Sequence, residues 1–321
     1  MRDAVRDPAE LCRLLELPEE LAEAARKVNA ESGQFSLFAP RSFVARMRPG
    51  DASDPLLRQV LPLADELAEA AGFVADPVDD AAAERQPGLL HKYEGRVLLV
   101  TTGACAIHCR YCFRRHFPYL EAPKSLADWQ PALDEIADDK SIHEVILSGG
   151  DPLMLVDRTL AALVGELEGI AHLRRLRIHT RLPIVIPERV TNELVGLLSD
   201  ARLTPIVVVH ANHAHEIDDS VVATLSKLSD AGIPLLNQAV LLRGVNDTTA
   251  AQATLCEKLV NHRVMPYYLH QLDRVAGAAH FDVPVETGRR IIAELRERLP
   301  GYAVPRFVAE IPAANSKTIL A

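Results

Sequence analysis

The sequence predicts an α/β protein built on a partial six-stranded (β/α) barrel, with a helical extension ahead of it and a short tail behind. Three observations carry this expectation. Short apolar runs of strand character recur near 96–101, 143–148, 174–180, 204–210, 234–241 and 263–269. Helix-patterned segments at 125–139, 157–169, 188–200, 216–231 and 247–262 separate them, long enough to serve as the crossovers that parallel strands need, and right-handed crossovers wrap such a sheet towards a barrel. Finally, the unusual polar residues gather at the carboxyl ends of these runs, where parallel β/α folds collect their chemistry.

In chain order, residues 1–85 read as a helical, polar-rich extension, with patterns such as Leu11-Leu14-Leu15 and Leu21-Ala24-Ala25 broken by the turn Arg48-Pro49-Gly50-Asp51. Residues 86–301 form the barrel core. Its first apolar run, Val97-Leu98-Leu99-Val100, leads into three cysteines; the second ends in Ser148-Gly149-Gly150-Asp151-Pro152; the third ends in His179-Thr180-Arg181. The fourth ends in His210-Ala211-Asn212-His213, the fifth contains Asn237-Gln238, and the sixth closes in Tyr267 to Asp273. A further helix near 284–299 precedes the tail, 302–321, which opens with an apolar run through Val308 and carries Lys317.

The composition limits the function classes. At 321 residues and 48% hydrophobic content the chain can bury a large core. The N-terminus, Met1-Arg2-Asp3-Ala4-Val5, has no basic start and apolar stretch of a signal peptide, and no run spans a bilayer, so a soluble cytoplasmic protein is expected. A formal charge of -9 argues against a nucleic-acid grip. Arg110, Arg114, Arg115 and His116 form one local basic run, read as an anion site beside the thiols.

Cys105, Cys109 and Cys112 are spaced C-x3-C-x2-C. Thiolates so spaced can each hold one iron of a [4Fe-4S] cluster, and no further local Cys supplies the fourth corner, which leaves one iron open to a small molecule. This resembles the radical S-adenosylmethionine (SAM) enzymes, and Tyr111 matches the aromatic before their last Cys. Zinc with His108 or His116 as fourth ligand is the alternative, although structural zinc sites usually pair two knuckles. Cys12 and Cys256 read as buried hydrophobes. Ser148, Gly149, Gly150 and Asp151 form a segment whose glycines let backbone approach a ligand and leave amides exposed. Asn212, His213 and His215 read as a satisfied polar loop cluster, with a direct catalytic role as the alternative; Asn237 is read in the same way, and Gln238 as a cofactor-binding residue of the rim. Lys317 follows an apolar strand and a small-residue turn that would aim its amine at the rim, where a buried lysine can condense with pyridoxal phosphate (PLP).

Segments along nearly the whole chain resemble the lysine 2,3-aminomutase family, and within it the branch that supplies (R)-β-lysine to elongation factor P. They include Asp54 to Pro62, Pro87 to Tyr93, Cys109 to Tyr119, Arg177 to Pro183, Leu241 to Asp247 and Gly277 to Phe281. The resemblance implies a radical SAM fold and a PLP-dependent isomerase that converts L-α-lysine to (R)-β-lysine. Cys105, Cys109 and Cys112 would hold the cluster, Lys317 would carry PLP, and Arg96, with Arg181 as a weaker candidate, would bind its phosphate. The glycine-rich segment would contact SAM, Arg114 would grip the substrate carboxylate, and Asp273 with Glu310 would receive its distal ammonium. Glu310 stands where the family has an aspartate, so the sign is kept and the reach is longer. Family members acting on free lysine carry a C-terminal extension, whereas this chain ends at Ala321, which favours the elongation factor branch. Implied partners are L-lysine, a reductant protein for the cluster, and, downstream, a lysyl-tRNA-synthetase-like ligase acting on elongation factor P. The rival expectations are a metabolic lysine or glutamate 2,3-aminomutase, and a non-catalytic iron-sulfur protein in which Lys317 would face solvent.

Overall fold

The structure, a computed structural model, describes residues 3–31, 35–119 and 123–321; Met1 and Arg2, on which the reading of the N-terminus partly rests, lie outside them. The extension holds helices α1 (Pro8–Leu14), α2 (Glu19–Glu31), α3 (Arg41–Val44) and α4 (Asp80–Ala83). Asp7 caps α1 by accepting from the Ala9 amide, with Pro8 set at the first helical position. Between α3 and α4 the chain is irregular apart from two 3-10 turns, so the extension is less helical than its composition suggests.

One sheet then runs through the molecule in sequence order, from β1 (Glu84–Gln86) and β2 (Leu89–Tyr93) to β3 (Arg96–Thr102). Helix α5 (Leu126–Asp138) crosses to β4 (Glu144–Gly149), α6 (Asp157–Gly169) to β5 (Arg175–Thr180), and α7 (Leu182–Val185) with α8 (Asn192–Ser199) to β6 (Thr204–Val209). Helix α9 (Asp219–Asp230) crosses to β7 (Leu235–Val240), α10 (Thr249–Asn261) to β8 (Val264–His270), and α11 (Val285–Arg298) to β9 (Arg306–Ala309), which turns back as β10 (Thr318–Ile319). Helices α5, α8, α9 and α10 start where Ser125, Thr191, Asp218 and Thr248 accept a backbone amide three residues on, satisfying a donor the first turn leaves open.

Strands β3 to β9 are parallel, and the hairpins β1–β2–β3 and β9–β10 flank them. The six expected strands are therefore joined by a seventh, β9, paired with β8 through Tyr268↔Arg306 and His270↔Val308. Among the described residues β1 and β10 stay unpaired on their outer sides, so the barrel is open. The extension has no core of its own: Leu11, Leu37, Phe43 and Leu57 pack into the same apolar cluster as Leu99, Val145, Leu176 and Val207 of the strands. No helix among the described residues is long and apolar enough to cross a membrane.

Candidate active site

The thiol loop follows β3, and the extension fixes it. The amides of His108 and Arg110 donate to the carbonyls of Phe38 and Gln59, both at 2.9 Å. His108 Nδ1 lies 2.7 Å from the Ser36 carbonyl with its ring stacked on Phe35, and His116 Nε2 lies 3.1 Å from the Ala276 carbonyl. Both imidazoles considered as zinc ligands are thus tied to backbone. Burial raises the Cys105 thiol well above its ordinary range, and burial with the neighbouring Cys109 pushes Cys112 up to about 11; the charge of a bound metal reverses such shifts. Among the described residues no three His, Cys, Asp or Glu side chains converge on a single ion. A cube that takes each thiolate at a different iron does not ask them to.

The glycine-rich segment after β4 departs from the expectation. Its amides are not open to a ligand: Gly150 N donates to Thr102 O at 2.7 Å and Asp151 N to Ala104 O at 2.9 Å, stitching the segment to the start of the thiol loop. A Cβ on Gly150 would stand 2.3 Å from Ala104 O, and Gly149, at φ +118°, would meet Thr102 O at 2.7 Å. The glycines are needed for backbone packed on backbone. The Asp151 carboxylate is likewise filled from within, by Thr180 Oγ1 and the amides of Leu153, Arg181 and Leu182, although burial pushes its pKa up to about 6. Asp151 therefore clamps the ends of β4 and β5 together.

Arg181 is also committed. It donates to Cys109 Sγ at 2.6 Å, to Gln59 Oε1 at 2.6 Å and to Glu216 Oε2 at 2.9 Å. Burial alone would raise the Glu216 carboxyl, but Arg181 outweighs it and holds it below the usual range. Arg181 serves the thiol end of the site and has no fork to spare for a phosphate. Tyr111 lies against it, 5.8 Å from ring centre to guanidinium carbon, and donates to Gln59 at 3.3 Å. The basic run is tied down in the same way: Arg110 and Arg115 share the buried Glu66, and of the run only Arg114 lines the cavity.

At the far end, alternating charges form a chain. Arg114 Nε donates to Asp80 Oδ2 at 2.7 Å, and Asp80 Oδ1 lies 2.7 Å from Lys92 Nζ. Lys92 reaches Glu310 at 3.3 Å, and Lys317 donates to the other oxygen of Glu310. Burial would raise the carboxyls of Asp80 and Glu310, but these cations outweigh it and lower both. Asp273 stands apart: it has no side-chain partner among the described residues, and burial, reinforced by the charge of Glu310, pushes it up to about 7. Arg96 makes no ion pair among the described residues and lies 4.7 Å over the Tyr93 ring.

All fifteen sequence-predicted site residues line one cavity of about 450 Å³, from Cys105, Cys109 and Cys112 with Tyr111, Ser148, Gly149, Gly150, Asp151 and Arg181 to Arg96, Arg114, Gln238, Asp273, Glu310 and Lys317. His179, His210 and His270 also line it, kept neutral by burial. Asn212, His213, His215 and Asn237 do not line it. Asn212 and Asn237 instead hold the backbone of Val240 and Ala211. Sequence reasoning missed Gln59, Asp80, Lys92 and Glu216. Gln59 and Lys92 sit inside segments that carry the family resemblance; nothing in the sequence marks Asp80 or Glu216.

Residues 99–253 match the model of the radical SAM superfamily. The chain is 47% identical to the L-lysine 2,3-aminomutase of Escherichia coli (strain K12), an alignment covering all of this chain and 93% of that one. It is 45% identical to the L-lysine 2,3-aminomutase of Haemophilus influenzae, again over the whole chain and 94% of the relative. With the enzyme of that name from Clostridium subterminale the identity is 40%, over 86% of this chain and 66% of that one. Among solved structures, Streptococcus suis SuiB bound to S-adenosylmethionine superposes with a TM-score of 0.51 at 14% identity, over 68% of this chain and 51% of that one, a likeness of fold.

Proposed function

The chain belongs to the lysine 2,3-aminomutase family of radical SAM isomerases, and on that premise we propose that it is a PLP-dependent enzyme converting L-lysine to (R)-β-lysine for attachment to elongation factor P in the cytoplasm. One observation carries the reading: three thiols and a lysine lie on the wall of a single cavity that is also lined by the Asp273 carboxyl and the Arg96 guanidinium, neither of them ion-paired among the described residues.

The donors present suit the groups the family uses. Cys105, Cys109 and Cys112 would hold a [4Fe-4S] cluster with SAM at its open iron, Lys317 would hold PLP, and Arg96 its phosphate. When bound, the cluster and SAM supply the radical chemistry that an unactivated C–H bond requires, and PLP supplies the conjugated system that carries the amino group between carbons. The protein's own residues bind and orient. Arg114 spends Nε on Asp80 and contacts Ser148 through Nη1, while Nη2 has no partner among the described residues and is available to the substrate carboxylate. Asp273, as a carboxylate, accepts the distal ammonium, which argues for lysine over glutamate. Lys317 and Lys92 keep Glu310 ionised beside it. The neutral histidines line the cavity without adding charge.

A non-catalytic iron-sulfur protein would leave Lys317 in solvent, but its side chain is only 22% exposed and pairs with Glu310. The test is direct. Reducing the PLP-loaded protein with borohydride and mapping the pyridoxyl group by mass spectrometry should mark Lys317, with no labelling in Lys317→Ala. Labelling elsewhere, or none, would overturn the PLP assignment.

A further inference from the structure

We propose that Asp80, contributed by the N-terminal extension, is a positioning residue that holds Arg114 in register with the substrate carboxylate and locks it to the lysine-bearing end of the site. The inference rests on the proposed role of Arg114. A guanidinium presents a planar fork, so fixing one N–H group fixes the direction of the others. Asp80 Oδ2 takes Arg114 Nε at 2.7 Å. Its second oxygen is not spare, since Oδ1 lies 2.7 Å from Lys92 Nζ, which is itself tied to the Val78 carbonyl at 2.7 Å and to Glu310. Asp80 is 2% exposed and stands at the start of α4, where Asp76 caps its amide at 3.0 Å, so the carboxylate rides on fixed backbone.

This arrangement also divides space. Asp80, Phe113 and Arg114 line both the main cavity and a neighbouring pocket of about 200 Å³. Releasing Arg114 would let its side chain swing into that pocket and away from the substrate. Asp80 therefore acts through Arg114, without touching substrate.

The experiment is steady-state kinetics of the reconstituted holoenzyme on L-lysine with Asp80→Asn, Asp80→Glu, Arg114→Lys and the double variants. Asp80→Asn should raise KM about tenfold or more, the scale of one charge-assisted hydrogen bond, with kcat altered far less, because the carboxylate is held equally in ground and transition states. Asp80→Glu should recover part of the loss. In the double variant with Arg114→Lys the loss should not exceed that of Arg114→Lys alone, because both changes remove the same interaction. Additive losses, or an Asp80→Asn enzyme with normal KM beside an impaired Arg114→Lys, would overturn the proposal. If Asp80→Asn does not fold, the Asp80→Glu and Arg114→Lys pair decides by the same additivity rule. If Arg114→Lys itself leaves KM unchanged, the assigned role of Arg114 has failed first, and the proposal falls with it.

Discussion

Asp273 should make lysine binding depend on pH through neutrality. The loop after β8 holds it beside Glu310, where burial and that like charge raise it to about 7 against the pull of Lys317 and Lys92. Below pH 7 the acid is mostly neutral and cannot pair with an ammonium; above it the carboxylate can. With a midpoint near 7, the ionised fraction is about one in eleven at pH 6 and about ten in eleven at pH 8, so the contact should gain about tenfold, or ~1.4 kcal/mol, across that range. The same shift costs fold stability as pH rises from the ordinary carboxylate range through 7, because the unfolded chain ionises first. The assay is kcat/KM for L-lysine at pH 6, 7 and 8 in the wild type and in Asp273→Asn, which keeps the shape but cannot ionise. Other titrations, the substrate's α-amine included, affect both proteins alike and cancel in their ratio. The wild-type to variant ratio should climb about tenfold from pH 6 to 8; a flat or falling ratio would refute the assignment.

Gly150→Ala places a methyl 2.3 Å from the Ala104 carbonyl and breaks the stitch to the thiol loop; a loss of about 3 kcal/mol is expected. It should read as a lower Tm and iron well short of a full cluster, and normal iron at an unchanged Tm would contradict it. Arg181→Ala removes the cation paired with the buried Glu216 and leaves its Oε2 without a hydrogen-bond partner among the described residues, so denaturant unfolding should show a loss of about 3–5 kcal/mol; a loss below about 1 kcal/mol would mean that the pair does not anchor the thiol end. Arg96→Ala should weaken PLP binding about tenfold or more, the scale of one charge-assisted contact, and leave the lysine KM unchanged at saturating PLP. Equal PLP affinity would move the phosphate site elsewhere.

The barrel strands were legible because each is an apolar run bounded by turn residues: 96–101, 204–210 and 263–269 lie within a residue of β3, β6 and β8. The run that becomes β9 was legible as an apolar strand, but its place as a seventh parallel strand was not, because its partner β8 lies beyond α11. The polar strand β1, Glu84-Arg85-Gln86, gives no hydrophobic signal and is defined only by pairing with β2. In the site, cysteine spacing carries metal chemistry by itself, so the thiols could be read directly. The polar partners could not. Which acid meets Arg110 or Arg114 depends on how the extension folds back over 44 and 34 residues, and the answer, Glu66 and Asp80, ties the basic run down with buried carboxylates that each hold two cations. The open amides expected at Gly149-Gly150 were misjudged for a related reason, since glycine permits close approach without saying whether ligand or backbone approaches, and here the Thr102 to Ala104 backbone takes the amides of a segment that still lines the cavity.

The most direct test is anaerobic. The reconstituted protein, given PLP, SAM, a strong reductant and L-lysine, is assayed for β-lysine by chiral chromatography, with Cys109→Ala and Lys317→Ala as controls. The expected result is (R)-β-lysine that disappears in both variants. The (S) isomer would contradict the link to elongation factor P and favour a metabolic role. No β-amino acid from a protein with full iron and bound PLP would contradict the assignment as a lysine 2,3-aminomutase.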